Sequence, residues 1–85
     1  MLLEIVTPAK KVFEGSVTIA TFPGVDGSFQ VLNDHAPLVS TLEEGKLSYK
    51  TSGGKEGSIT ITGGVVEVLN NKIVVLADGL VETPA

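Results

Sequence analysis

Only a few side chains in these 85 residues could take part in covalent or acid–base chemistry, and each stands without the company that chemistry needs. The single imidazole, His35, is the natural base for a Ser or Thr nucleophile, and the chain has no cysteine. Asp34 precedes it directly, but neighbours in an extended chain point to opposite faces, so Asp34 is badly placed to orient the ring. Glu43-Glu44 is an adjacent pair of carboxylates. Acid–base work would require one of them buried with a raised pKa, and a solvated connection is the plainer reading. Lys55, within Gly53-Gly54-Lys55-Glu56-Gly57, lacks the spacing and the following Ser or Thr of a phosphate-binding loop, and no helix starts there to supply amide donors. With one His and no Cys, neither a metal site nor a cofactor site is expected, and no residue is assigned a catalytic role.

The elements that carry these residues read as short strands. Ten Gly and four Pro leave apolar stretches of about four to eight residues, the rhythm of a sandwich or barrel, and no segment offers a helical stripe. Residues 2–6 form a strand that ends at Thr7-Pro8. Residues 11–22 are extended but broken near Gly15-Ser16, and Pro23-Gly24-Val25-Asp26-Gly27 is a turn. A strand over 28–32 leads into the polar connection Asn33-Asp34-His35-Ala36-Pro37, and 38–42 resumes an extended course. Leu47 and Tyr49 alternate with Lys46, Ser48 and Lys50, and residues 51–57 make a hairpin tip before 58–62 returns. Gly63-Gly64 is a corner. Asn70-Asn71 is a two-residue hairpin turn joining 65–69 to 72–77, whose Ile-Val-Val-Leu run predicts a strand buried on both faces. A last strand spans 80–82. In all, eight to ten short strands surround one core.

Composition narrows the function classes. With 42% hydrophobic residues, three Phe, one Tyr and no Trp, the core must come from Val, Ile and Leu, a supply suited to strands. The formal charge of −4 gives no electrostatic footprint for nucleic acid. No apolar run reaches the roughly 18–20 residues that cross a bilayer, and the N-terminus lacks the features of a signal peptide. A cytoplasm-facing protein without direct membrane insertion is expected.

Several segments, in their order and spacing, carry a resemblance. Val12-Phe13-Glu14-Gly15 comes first, then Gly27-Ser28-Phe29-Gln30-Val31-Leu32 leading into His35-Ala36-Pro37-Leu38. Gly45, Gly63-Gly64-Val65-Val66-Glu67-Val68 and Val74-Val75-Leu76-Ala77-Asp78 follow. Together they resemble the N-terminal domain of the epsilon subunit of F-type ATP synthases, called delta in mitochondria, over nearly the whole chain. The resemblance implies an all-β fold, a flattened ten-stranded sandwich or barrel of two five-stranded sheets, as one domain over residues 1–85.

It further implies a non-catalytic subunit of the central stalk that binds gamma, rests on the c ring and couples proton-driven rotation to ATP synthesis. Contact with the catalytic alpha/beta hexamer would be indirect, and the location would be the cytoplasmic face of the plasma membrane, or the equivalent organelle face. By position, Thr7, His35, Ala36, Pro37, Leu38 and Ser40 match places that face gamma, and Asp26, Gly27 and Ser28 match the loop that touches the c ring. Many relatives carry an acidic residue where this chain has Ser28. Longer relatives continue into two helices that restrain ATP hydrolysis and in some cases bind ATP. This chain ends at Ala85, so neither that helical hairpin nor a nucleotide site is expected. Two other classes fit parts of the sequence: a carrier domain bearing a lipoyl or biotinyl group on Lys55, although Gly54 and Glu56 are not the usual flanks, and a general β-sandwich binding module.

Overall fold

In a computed structural model, which describes residues 1–81, eight strands run in chain order: β1 (Leu2–Val6), β2 (Lys11–Gly24), β3 (Gly27–Leu32), β4 (Leu38–Leu42), β5 (Gly45–Thr51), β6 (Glu56–Ile61), β7 (Gly64–Leu69) and β8 (Lys72–Ala77). There is no helix among the described residues, so none long and apolar enough to cross a membrane. The all-β reading holds, and the described residues form eight strands where ten were expected. β2 is one continuous strand of 14 residues where a break was expected at Gly15-Ser16. The expected last strand is reduced to a single bridge, Leu80 to Ile61, and Glu82 lies outside the described residues.

The long β2 organises the molecule. Its first half pairs with β1, from Leu2↔Ser16 to Val6↔Lys11, and its second half pairs with β3 on one side and β5 on the other. A register irregularity between Val17 and Ile19 opposite β5 bends the strand, as an extra residue in a ladder does. One layer is therefore β4-β7-β8-β1 with the start of β2, and the other is β3, the end of β2, β5 and β6.

Alternation decides what lies between the layers. On one layer Leu3, Ile73, Val68 and Leu38 form a row across four strands, and Ile5, Val75, Val66 and Ser40 form the next. Opposite them stand Ala20, Phe22, Val31, Leu47 and Ile61, all completely buried. No polar side chain is buried among the described residues, so burial of apolar surface, about 25 cal/mol per Å², provides the main stabilisation. Phe22 packs tilted on Phe29 with ring centroids 5.6 Å apart, and Phe13 on Tyr49 at 4.3 Å. The Tyr49 ring covers Gly57, where an added Cβ would stand 2.5 Å from it.

β8 departs from expectation. It is interior to its layer, between β1 and β7, but only one of its faces is covered: Val74 is half-buried and Leu76 is 55% exposed. An unbroken Ile-Val-Val-Leu run cannot by itself distinguish a strand covered on both faces from one whose outer face stays open.

Candidate docking surface

The loop that carries His35 is held in place by side-chain amides. Asp34 takes the left-handed conformation at φ 61°, which lets the chain turn so that the His35 amide donates to the Leu32 carbonyl at 3.2 Å. The Asp34 amide donates to Asn71 Oδ1 at 2.8 Å, and Asn71 Nδ2 donates to Asn33 Oδ1 at 3.0 Å. The Met1 ammonium donates to the same Asn33 oxygen at 3.3 Å and to the Val17 carbonyl at 3.2 Å. Asn70 and Asn71, at φ 52° and 61°, form the two-residue turn between β7 and β8 that was expected from sequence.

The His35 ring is half-buried, with Nδ1 2.7 Å from the Ala36 carbonyl oxygen. A carbonyl only accepts, so Nδ1 is the donor in this contact. That bond aims the ring along its own loop. Past it, Pro37, Leu38, Val39, Glu67, Val68 and Leu69 line a shallow groove of about 330 Å³, with Val39 68% and Leu69 49% exposed. An apolar groove beside a fixed imidazole suits recognition of another protein surface.

The structure gathers His35, Ala36, Pro37 and Leu38 at one end of β4, and Ser40 follows on the same strand. Ser40 shares its direction with Leu38 and Leu42, so it points to the inner side of the layer, half-buried, with Oγ 3.4 Å from the Thr41 carbonyl. Thr7 is apart from this group. It stands at the far end of β1, three strands from β4, which by strand geometry is roughly 20 Å from Leu38. Its hydroxyl accepts from the Lys10 amide and donates to the Lys10 carbonyl, both at 3.2 Å, so it closes its own turn.

Asp26, Gly27 and Ser28 sit at the β2–β3 hairpin, and all three are exposed. The turn is tighter than expected from sequence: Pro23 and Gly24 belong to β2, paired with Ser28 and Gly27, leaving Val25 and Asp26 as the tip. Gly27 at φ 124° makes this possible. The Val25 amide donates to the Thr41 carbonyl at 3.1 Å, so the tip is tied to β4. One strand therefore carries the His35 group at its start and braces the Asp26 tip at its end.

Val39 and Leu69 were not singled out from the sequence. Their signal was the odd-numbered apolar residues of β4 and β7, which alternation sends to the outer face. The same face carries Val65, Leu76 and Leu2.

The remaining candidates are surface groups. Glu43 and Glu44 are exposed between β4 and β5, and Lys55 is exposed on the β5–β6 hairpin, where its carbonyl accepts from Thr51 at 2.7 Å and its amide donates to Thr51 Oγ1 at 3.1 Å. No group of three or more metal-ligating side chains occurs among the described residues. One electrostatic cluster is organised. Glu4 and Glu14 face each other across β1 and β2, and Lys11 Nζ lies 3.1 Å from Glu4 and 3.4 Å from Glu14. The Lys11 hydrogen bond holds the Glu4 carboxyl below its usual range, and the bonds to Glu4 and then Glu14 push the Lys11 amine up.

Comparison with known proteins agrees with this architecture. Residues 1–83 match the family described as ATP synthase, Delta/Epsilon chain, beta-sandwich domain. The chain is 45% identical over 76 residues to the ATP synthase epsilon chain of Chlorobium limicola, covering 89% of this chain and 86% of that one. It is 45% identical over 78 residues to that of Desulfatibacillum aliphaticivorans and 46% over 76 residues to that of Desulforamulus reducens, covering 92% and 89% of this chain. It spans only 55% and 57% of those two relatives. A chain in the Tetrahymena thermophila mitochondrial ATP synthase central stalk and c ring superposes with TM-score 0.81 at 20% identity, over 96% of this chain and 66% of that one. A chain in the Euglena gracilis mitochondrial ATP synthase superposes with TM-score 0.88 at 23% identity, over 95% and 52%. At these identities the superpositions speak to the fold. The sequence matches carry the assignment: this chain belongs to the family of ATP synthase delta/epsilon-chain β-sandwich domains.

Proposed function

We propose that this domain is a non-catalytic rotor element of an F-type ATP synthase, docking gamma with the start of β4 and meeting the c ring with the Asp26 tip. The observation that carries this reading is the position of both surfaces on one strand. The His35 loop and the Pro37–Leu69 groove adjoin Leu38, while the Val25-Asp26 tip is bonded to Thr41. Torque passing between gamma and the c ring would then cross a few residues of cross-paired strand, and β2, shared by both layers, resists their sliding.

Family membership across residues 1–83 favours this over a prosthetic-group carrier, although Lys55 has the exposure such a role would need. Attachment to the membrane would be peripheral, through the c ring, and contact with the alpha/beta hexamer would pass through gamma. Coupling of proton flow to ATP synthesis belongs to the whole assembly.

The test is a tagged pull-down from detergent-solubilised native membranes with the unaltered chain and an Asp26→Lys variant. Gamma and the c subunit are expected with the unaltered chain, and retention of gamma with depletion of c subunit in the variant. Recovery of neither from the unaltered chain would remove the rotor reading. Undiminished c subunit in the variant would remove the assignment of the tip.

A further inference from the structure

β4 has a strand on one side and, for most of its length, none among the described residues on the other. On the first side it pairs with β7 from Leu38↔Val68 to Leu42↔Gly64. On the second, pairing is limited to the contact Leu42↔Gly24 at the end of β2. Two ladder bonds accompany that contact, from the Val25 amide to the Thr41 carbonyl at 3.1 Å and from the Glu43 amide to the Pro23 carbonyl at 2.9 Å. After Val25 the chain turns into β3, and the ladder stops.

These two bonds fix the direction of every backbone group on β4. Within an antiparallel strand the N–H and C=O of one residue point to the same side, and successive residues alternate. Thr41 and Glu43 point toward β2, so Leu38, Ser40 and Leu42 bond to β7. Val39 then directs its N–H and C=O to the open side, two residues before the ladder's last bond. Its side chain is the most exposed of the large apolar side chains described, at 68%.

Natural sheets guard open edges with charges, bulges or internal proline. The first half of β2 also has an open side, and Lys11 and Glu14 mark it with charge. β6 has its free side occupied near its end by the Gly79–Val81 stretch, through bonds between Thr62 and Gly79 and between Val81 and Thr60. β4, with sequence Leu-Val-Ser-Thr-Leu, has neither charge nor proline within it. β3 is uncharged too, but its ladder with β2 runs without interruption from Ile19↔Leu32 to Gly24↔Gly27.

We infer that β4 receives an extended strand of its partner, continuing the ladder that β2 begins, with Val39 exchanging backbone hydrogen bonds with that strand. This rests on the reading of the β4 surface as the gamma site and specifies how gamma is held. The incoming segment is extended, free of proline at the residue opposite Val39, and apolar at the side chain that packs beside Val39 on the outer face. Backbone bonds supply the hold and the exposed Val39 side chain supplies selectivity, the division of labour of strand addition.

Hydrogen exchange at single amides, on the full chain with and without purified gamma, tests it. The Leu38 and Ser40 amides are already bonded to β7, so they report global stability. The Val39 amide is expected to slow by roughly tenfold or more on gamma binding while Leu38 and Ser40 change little. Val39→Pro removes the outward donor without touching the β7 ladder, and is expected to weaken gamma binding roughly fivefold to tenfold beyond Val39→Ala. Gamma binding with an unprotected Val39 amide, or with equal affinities for the two variants, overturns strand addition and leaves the gamma site standing. Failure of the unaltered chain to bind gamma overturns both. Val39 protection that grows with the chain's own concentration, without gamma, assigns the edge to self-pairing and also overturns the inference.

Discussion

Asn71, in the β7–β8 turn, holds Asn33 in the loop between β3 and β4 through a 3.0 Å hydrogen bond, across 38 positions of sequence. Its other carboxamide atom takes the Asp34 amide, so one side chain secures both residues that precede His35. The same residue must adopt positive φ to close its own turn, and Asn meets both demands.

Asn71→Gly keeps the turn conformation and deletes the clamp. Two exposed hydrogen bonds are lost, and a destabilisation of about 1–2 kcal/mol is expected in urea unfolding. The local effect is the more telling one: the amides of residues 34 and 35 exchange faster while those of β7 and β8 do not. Unchanged exchange at 34 and 35 would show that the loop holds its shape without Asn71.

The Glu4–Lys11–Glu14 cluster predicts a pH signature. Glu4 is held below its usual range, so its contribution to stability is present above the unfolded carboxylate pKa and lost as pH falls through the folded value. Lys11 is pushed up, so its contribution is present below the unfolded lysine pKa and lost as pH rises through the folded value. In Lys11→Met, Glu4 and Glu14 face each other unscreened across the strand pair. The stability gap between the unaltered chain and this variant should be widest at neutral pH and close toward both extremes. Midpoints of urea unfolding across pH measure it, and a gap independent of pH contradicts the assignment.

Gly64 tests the corner where β7 begins. It sits at φ 149°, and a Cβ there would run into the Leu76 carbonyl oxygen and stand 2.9 Å from the Ala77 Cα, backbone atoms that cannot move without breaking the β7–β8 ladder. Gly64→Ala should cost about 3 kcal/mol or more. Gly53→Ala, whose added Cβ would meet only Thr51 Oγ1 at 3.9 Å, should cost little. Thermal midpoints of the two variants provide the comparison.

These residues also show how far sequence alone reached. Asn70-Asn71 announced a hairpin because few residues other than Gly accept positive φ, and the glycines at 63 and 64 announced a corner for the same reason. Gly15 misled, since glycine inside a strand reads as an interruption. Here it lies in an unbroken strand, where a Cβ would press on the Phe13 ring at 3.0 Å. The openness of the outer face at Val39, Leu69 and Leu76 depends on what packs above it, and alternation reports direction without cover. The His35 loop was singled out by its motif, and register adds that Ser40 turns inward. Thr7 was grouped with it by family position, and only the strand order reveals their separation.

The proposed gamma contact at the start of β4 is tested most directly by the affinity of purified gamma for the chain bearing His35→Ala together with Ser40→Arg. His35→Ala removes the ring beside the groove, and Ser40→Arg sets a long charged side chain at the half-buried inner position of this edge strand, so the comparison is made only once the variant is shown to be folded. The two lie on one short segment, so their effects are read together. Calorimetric titration is expected to give a Kd weakened by roughly tenfold or more, about 1.4 kcal/mol, with the fold intact by circular dichroism. An unchanged Kd in a folded variant would contradict the docking surface described for β4.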